Sequence, residues 1–183
     1  MKVLAACLTE TGAEKLKTET SSTLQTRILD ITDSKSVSSA AKWVSAIVGN
    51  EGLWGLVNNA GYGVGFGPNE WQTKEEFSKS LNVNLLGTID VTVNLLHLVR
   101  KARGRIVYTS SILALKGLTQ ATSPRPYEVS DCMEHALTAV HPWTRYSPGL
   151  DSKLYFLPVS YFPTAISDYL FCRSAPKPVQ SIS

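Results

Sequence analysis

Residues 2–110 alternate short apolar runs with segments of helical period, and this alternation constrains the fold more than any other feature of the chain. Lys2–Cys7 reads as a strand, Thr11–Lys17 as a short helix, and Thr26–Ile31 as a second strand with Asp30 at its end. Asp33 or Ser34 can cap the next helix, which places Val37, Ala40, Ala41, Val44 and Val48 on one side and meets Gly49 near its end. Leu53–Asn58 is a third strand, running into Asn58-Asn59-Ala60-Gly61. Thr73-Lys74-Glu75-Glu76 fits a capping box, in which hydroxyl and carboxylate satisfy free backbone donors. The long helix it opens carries Phe77, Leu81, Leu85, Thr88, Thr92, Leu95 and Val99 in one stripe. Arg100, Lys101 and Arg103 suit its negative end, Gly104 stops it, and Arg105–Ser110 is the fourth strand.

Strand and helix in strict alternation imply right-handed crossovers and a parallel sheet. The expected class is α/β: an incomplete doubly wound parallel sheet, a partial Rossmann fold, with an irregular and helical C-terminal segment. Residues 1–118 form the sheet region. Residues 119–126, polar and holding two prolines, are a linker or junction, and 127–183 form the C-terminal segment. There a helix is expected from Asp131 to about Val140 and a short one over Ala165–Phe171. Pro142, Pro148, Pro158 and Pro163 forbid long elements between them.

Hydrophobic residues are 43 % of the chain and charged ones 18 %, a globular balance with enough apolar mass for a core. The +3 formal charge is scattered, with no basic block and no aromatic interleaving, so a nucleic-acid partner is not expected. Cys7, Cys132 and Cys172 are widely spaced and read as reduced thiols. With His97, His135 and His141 they make no metal spacing. No apolar run approaches the roughly 20 residues that span a bilayer.

Ligands of doubly wound sheets bind beyond the carboxyl ends of the strands. Those ends hold Ala6-Cys7, Asp30-Ile31, Asn58–Gly61 and Ser110-Ser111. Asn84 shares a helix face with Phe77, Leu81 and Thr88, so its amide is expected to be buried and bonded. It either ties the helix to a neighbouring loop or belongs to a site. Ser111 sits where a hydroxyl reaches a substrate, or merely ends a turn. Asp30 holds an adenine or ribose, or caps the following turn. The loop Gly61–Gly67 fits neither GxGxxG nor GxxxxGK[ST] and reads as a flexible connection.

Taken together, Asn58-Asn59-Ala60-Gly61, then Asn82-Val83-Asn84-Leu85-Leu86-Gly87, then Gly104-Arg105-Ile106-Val107-Tyr108-Thr109-Ser110-Ser111 resemble the short-chain dehydrogenase/reductase family in order and spacing. Val3–Glu10, Gly52–Val57 and Gly67–Trp71 resemble its retinol and hydroxysteroid dehydrogenase branch, as do Asp131–Thr138 and His141–Lys153. The resemblance implies oxidation of a retinoid or steroid alcohol, with hydride passing to NAD or NADP. It implies that Asn84 helps hold a proton-relay water through its main chain and that Ser111 hydrogen-bonds the substrate oxygen. Asp30 and Ile31 match the adenine-contacting position. Asn58, Ala60, Gly61 and Val83 match the segment beside the adenosine half. The branch also implies an endoplasmic-reticulum membrane location and pairing through the helix matching Thr73–Arg100. Peripheral membrane contact is implied as well.

Two family features are missing from these residues. Neither TGxxxGxG nor Tyr-x-x-x-Lys occurs: Tyr62, Tyr108, Tyr127, Tyr146, Tyr155, Tyr161 and Tyr169 all lack a lysine four residues on. The first strand here matches the family's second, and the branch's amino-terminal anchor is not seen, which leaves a cytoplasmic location open. After Leu118 the sequence passes directly to the C-terminal block, as an internal deletion would produce. Three readings follow: a fragment of an alcohol dehydrogenase that is inactive alone and binds cofactor weakly, a non-catalytic partner of intact family members through the 73–100 helix, or a chain whose bare sheet edge invites aggregation.

Overall fold

The computed structural model describes residues 2–21, 23–63, 71–110 and 127–147, together with Tyr161 and Ile166. The chain divides into two compact units: Met1–Val64 with Lys74–Thr109, and Gly65–Thr73 with Ser110–Ser183.

The first unit is α/β. Its elements run β1 (Val3–Cys7), α1 (Glu10–Glu19), β2 (Leu24–Ile28), α2 (Ser34–Val48), β3 (Gly55–Asn58), α3 (Lys74–Leu81), a π-helical segment (Asn82–Gly87), α4 (Thr88–Lys101) and β4 (Arg105–Tyr108). Thr9 caps α1 by accepting from the Gly12 amide, and Asp33 caps α2 by accepting from the Lys35 amide. Gly49, at φ 49°, ends α2, and its N–H donates to the Ser45 carbonyl.

The strands are parallel, as expected. Val3 lies opposite Leu24 and Cys7 opposite Ile28, while Gly55 lies opposite Arg105 and Asn58 opposite Tyr108. Among the described residues they form two separate pairs, β1 with β2 and β3 with β4, rather than one ladder. One helix layer joins the pairs. Val37 and Val44 of α2 pack with Val91, Leu95 and Leu98 of α4. Leu4 and Leu29, in or next to the first strand pair, and Leu53 and Leu56, in or next to the second, lean on that cluster. All-parallel sheets are usually covered on both faces. Here no strand residue is fully buried, so the apolar seam of the helices is the core.

Three expectations need correction. The second strand covers Leu24–Ile28, not Thr26–Ile31, because side chains take over the backbone beyond it. The Asp30 amide donates to Ser36 Oγ, and Asp30 Oδ1 accepts from the Thr32 amide and hydroxyl, which turns the chain. The long helix contains a π turn, with i→i+5 bonding that takes up an extra residue. A stripe counted at 3.6 residues per turn loses register across it. Phe77, Leu81 and Leu85 are therefore exposed, and the buried face is Gly87, Val91, Leu95, Leu98 and Val99. Leu53 and Trp54 lie outside β3: the Leu53 amide bonds the Leu98 carbonyl, and the Trp54 carbonyl accepts from Arg105.

In the second unit the described helix α5 spans Tyr127–Thr138, one turn earlier than expected at its start. Proline is tolerated just before a helix or at its first position, so Pro126 does not prevent that earlier start. The 119–126 junction, and Ala165–Phe171 apart from Ile166, lie outside the described residues. No described helix is long and apolar enough to cross a membrane.

Candidate active site

The carboxyl ends of β2 and β3 and the π segment bring five expected residues into well-defined settings. Asn58 ends β3 and is half-buried. Its carbonyl accepts from the Thr109 amide, and its Nδ2 donates to Thr92 Oγ1 at 3.1 Å. Thr92 Oγ1 also donates to the Thr88 carbonyl and lies 3.2 Å from the Tyr108 hydroxyl. A chain of polar groups thus links the ends of β3 and β4 to α4. Ala60 and Gly61 follow as an exposed, small-residue surface.

Asn84 is exposed rather than buried, which corrects the sequence expectation. Its face precedes the seam because of the π turn. Its amide is nevertheless fully used. The Tyr62 amide donates to Asn84 Oδ1 at 2.8 Å, and Asn84 Nδ2 donates to the Tyr62 carbonyl at 2.8 Å and to Ser80 Oγ at 3.1 Å. One side chain reads both backbone groups of one loop residue and so fixes the loop after Gly61. The Lys79 ammonium sits 4.4 Å above the Tyr62 ring, a cation–π contact that holds the side chain as well.

Val83 is half-buried within the π segment, and its carbonyl receives the Thr88 hydroxyl at 3.4 Å. Ile31 packs against the core and approaches Gly87 closely: a β-carbon there would stand 2.7 Å from the Ile31 carbonyl oxygen. Glycine at 87 is what lets the π segment lie against the end of β2. The Thr32 hydroxyl, and then the Thr32 amide, hold the Asp30 carboxyl below the usual carboxylate range. Asp30 therefore keeps its charge at neutral pH. Ser111 lies outside the described residues.

Sequence reasoning missed Tyr62, Thr92 and Tyr108. Tyr62 sits in a loop without period. Thr92 counted only as a member of an apolar stripe, although a hydroxyl at strand-end height on the packed helix is a polar signal.

Asn84→Leu is expected to destabilise the first unit by about 1–2 kcal/mol, since exposed hydrogen bonds contribute modestly. Its larger effect is local. Amide exchange at Tyr62 should accelerate well beyond that at Val57, and equal acceleration at both would show that no local clamp exists.

The family model for short chain dehydrogenases matches residues 1–123. The chain belongs to the short-chain dehydrogenase family. Within it the chain falls in the retinol and hydroxysteroid dehydrogenase branch. It is 37 % identical to retinol dehydrogenase 7 of Rattus norvegicus and 39 % identical to retinol dehydrogenase 16 of Mus musculus, in each case over all of this chain and 83 % of the relative. It is 37 % identical to 17-beta-hydroxysteroid dehydrogenase type 6 of Bos taurus over the same shares. These alignments run over 264 positions against 183 residues here, so the relatives carry segments inside the match that this chain lacks. Among solved structures, an alcohol dehydrogenase from Thermococcus sibiricus complexed with 5-hydroxy-NADP is 27 % identical with TM-score 0.53, over 60 % of this chain and 46 % of that one. A levodione reductase is 25 % identical with TM-score 0.55, over 64 % and 46 %. The chain spans about half the length of these structures.

Proposed function

We propose that this chain carries the adenosine side of a nicotinamide-dinucleotide site and two of four catalytic positions of an alcohol oxidoreductase for retinoid or steroid alcohols, and that alone it turns over little or no substrate. Asp30, Ile31, Asn58, Ala60, Gly61 and Val83 are the wall against which the adenosine half would lie. Small exposed residues at the end of β3 and the anchored Asp30 turn suit a flat, hydrogen-bonding ligand. The dinucleotide, NAD or NADP, supplies the hydride acceptor when bound. Asn84 orders the loop beside it, and Ser111 is assigned to the substrate oxygen.

The observation that carries this reading is a contrast. The strand-end residues and the Asn84 clamp are present and bonded, yet no tyrosine in the chain is followed by lysine four positions on. General acid–base catalysis is worth about 10²–10⁴ in rate, so losing that pair removes most of the activity even where substrate binds. The 183 residues also contain no TGxxxGxG turn, so backbone donors for the pyrophosphate are fewer and the chain as it stands binds dinucleotide weakly.

The purified chain is to be incubated with NAD or NADP and with retinol or a hydroxysteroid. The expected result is no reduced cofactor above a blank without protein, alongside weak cofactor binding by calorimetry. Steady turnover would overturn the inactivity.

A second reading has its own observation. Leu81, Leu85, Leu86, Ile89 and Val93 form an exposed apolar strip along the π segment and α4. Such strips are uncommon on monomers and mark association surfaces. Pairing with an intact family member through this strip is expected to show as co-purification that Ile89→Asp abolishes. Co-purification that survives the substitution would remove the strip from the account.

A further inference from the structure

The first unit carries a feature independent of dinucleotide binding: two strand edges that face each other without pairing. β1 bonds β2 along one edge, and β3 bonds β4 along one edge. Peptide groups of a strand alternate between its two edges. Each strand therefore has a second row of donors and acceptors, and among the described residues none of these rows bonds another strand. Leu4 of β1 and Leu56 of β3 both pack on the seam of Val37, Val44, Val91, Leu95 and Leu98, while no partly buried residue within β2 or β4 does. Ile28 of β2 instead lines a shallow pocket against α1 with Ala13 and Lys17. β1 and β3 are thus the inner strands, and their free edges look at each other across the seam. The two pairs also run the same way. The Ile31 carbonyl, just past β2, meets Gly87, and Asn58 at the end of β3 donates to Thr92 Oγ1, so both carboxyl ends lie toward the start of α4. The Leu53 amide, ahead of β3, bonds the Leu98 carbonyl near the far end of that helix.

Geometry sets what can occupy the interval. Packed helices stand roughly 8–10 Å apart, and two strand spacings of about 4.8 Å span the same distance. One further strand fits between β1 and β3, bonding both, and two do not. Purely parallel sheets are favoured over mixed ones, and both flanking pairs are already parallel. Leu4, Leu56 and Asn58 lie on the α2–α4 side, so every second residue of an added strand meets the apolar seam. On the opposite face stand Ala5 and Val57, which leave room for threonine or valine. No residue of β1 or β3 is fully buried, although inner strands of parallel sheets are normally covered. We infer that the β1–β3 interval accepts one extended strand of five residues, the length of β1, from another polypeptide, parallel to its neighbours and apolar at alternate positions. Main-chain bonds on both edges supply the affinity, and the seam selects the side chains. A segment with proline at its centre, or with charge toward the seam, is excluded by the same geometry.

The test uses the full chain and the peptide acetyl-Lys-Val-Thr-Val-Thr-Val-Lys-amide, whose valines can all face the seam and whose lysines keep it soluble. Amide hydrogen exchange is followed by NMR. With the peptide at about ten times its Kd, alternate amides of β1 and β3 should exchange about tenfold more slowly, while the outer edges of β2 and β4 stay as they were. The urea midpoint should rise with peptide concentration. Proline in place of the central valine removes a donor and should weaken binding at least about tenfold. Aspartate in place of the central valine should do the same, whereas aspartate at both threonines should change Kd by less than about threefold. No slowing at β1 and β3 with millimolar peptide overturns the inference. So does slowing confined to β2 or β4, because the peptide then extends an outer edge. Equal binding of the proline peptide overturns it too. The same protection on concentrating the chain alone does so as well, since a second copy is then the occupant.

Discussion

Gly104→Ala is expected to lower the unfolding free energy of the first unit by about 3 kcal/mol, a large share of the roughly 5–15 kcal/mol that holds a domain together. The reason is backbone against backbone. A β-carbon at 104 would press on the Trp54 carbonyl oxygen, lie 2.5 Å from the Leu53 one and 2.7 Å from the Trp54 carbonyl carbon. None of these is a flexible side-chain tip that can swing away. Relief requires moving the entry to β3 away from the start of β4. That movement would disturb the bond from the Leu53 amide to the Leu98 carbonyl, at 3.0 Å, and from the Arg105 amide to the Trp54 carbonyl, at 2.9 Å. Gly63→Ala is the control, since a β-carbon there meets nothing within 4 Å and no change is expected. Urea unfolding of both variants measures the difference. A loss below about 1 kcal/mol for Gly104→Ala would mean that the two strands separate easily, contrary to the packing described.

Gly87→Ala is expected to cost about 2 kcal/mol and, unlike Gly104→Ala, to reach the candidate site. Its β-carbon would lie 2.7 Å from the Ile31 carbonyl oxygen, 2.8 Å from Ile31 Cγ1 and 3.0 Å from the Asn82 carbonyl oxygen. The Ile31 side chain can give a little, but the two carbonyls cannot. The π segment would therefore lift from the end of β2 and carry Asn84 with it. The Tyr62 amide resonance should shift and its exchange should quicken, while the Thr32 amide, bonded locally to Asp30, stays protected. A variant that loses stability but leaves Tyr62 unchanged would separate the glycine's packing role from the clamp.

Much of this architecture was legible in the sequence, for identifiable reasons. The α2 stripe of Val37, Ala40 and Val44 is an uninterrupted period of 3.6, and all three are buried. Asp33 and Gly49 mark their helix ends by side-chain and backbone chemistry that acts locally, and they do so in the fold. What failed was whatever depended on the middle of a helix being regular. Asn82–Gly87 has nothing in its composition that announces i→i+5 bonding, so Phe77, Leu81 and Leu85 fall in one stripe with Leu95 and Val99 by spacing and yet are exposed. The same shift moves Asn84 from a presumed interior to an exposed position where its partners are the backbone of a loop 22 residues earlier. Tyr62 was invisible for the complementary reason: its role comes from being gripped, and no local pattern encodes who grips it. The end of β2 was misplaced because Ser36, six residues on, captures the Asp30 amide, a competition that apolar spacing does not register.

The pairing of strands two by two changes how the first unit comes apart. In a continuous sheet, every strand shares backbone bonds with its neighbours, so opening one side strains the next. Among the described residues the strand ladder stops at the edge of each pair, and the apolar cluster of Val37, Val44, Val91, Leu95 and Leu98, with Leu4, Leu29, Leu53 and Leu56 packed against it, bridges the two. Among the described residues, rupture between the halves therefore breaks no strand-to-strand hydrogen bond. It only wets a greasy seam, the kind of opening that urea promotes and that cooling also eases as apolar association weakens. The expected weak point of the unit is therefore this apolar seam rather than its ladders.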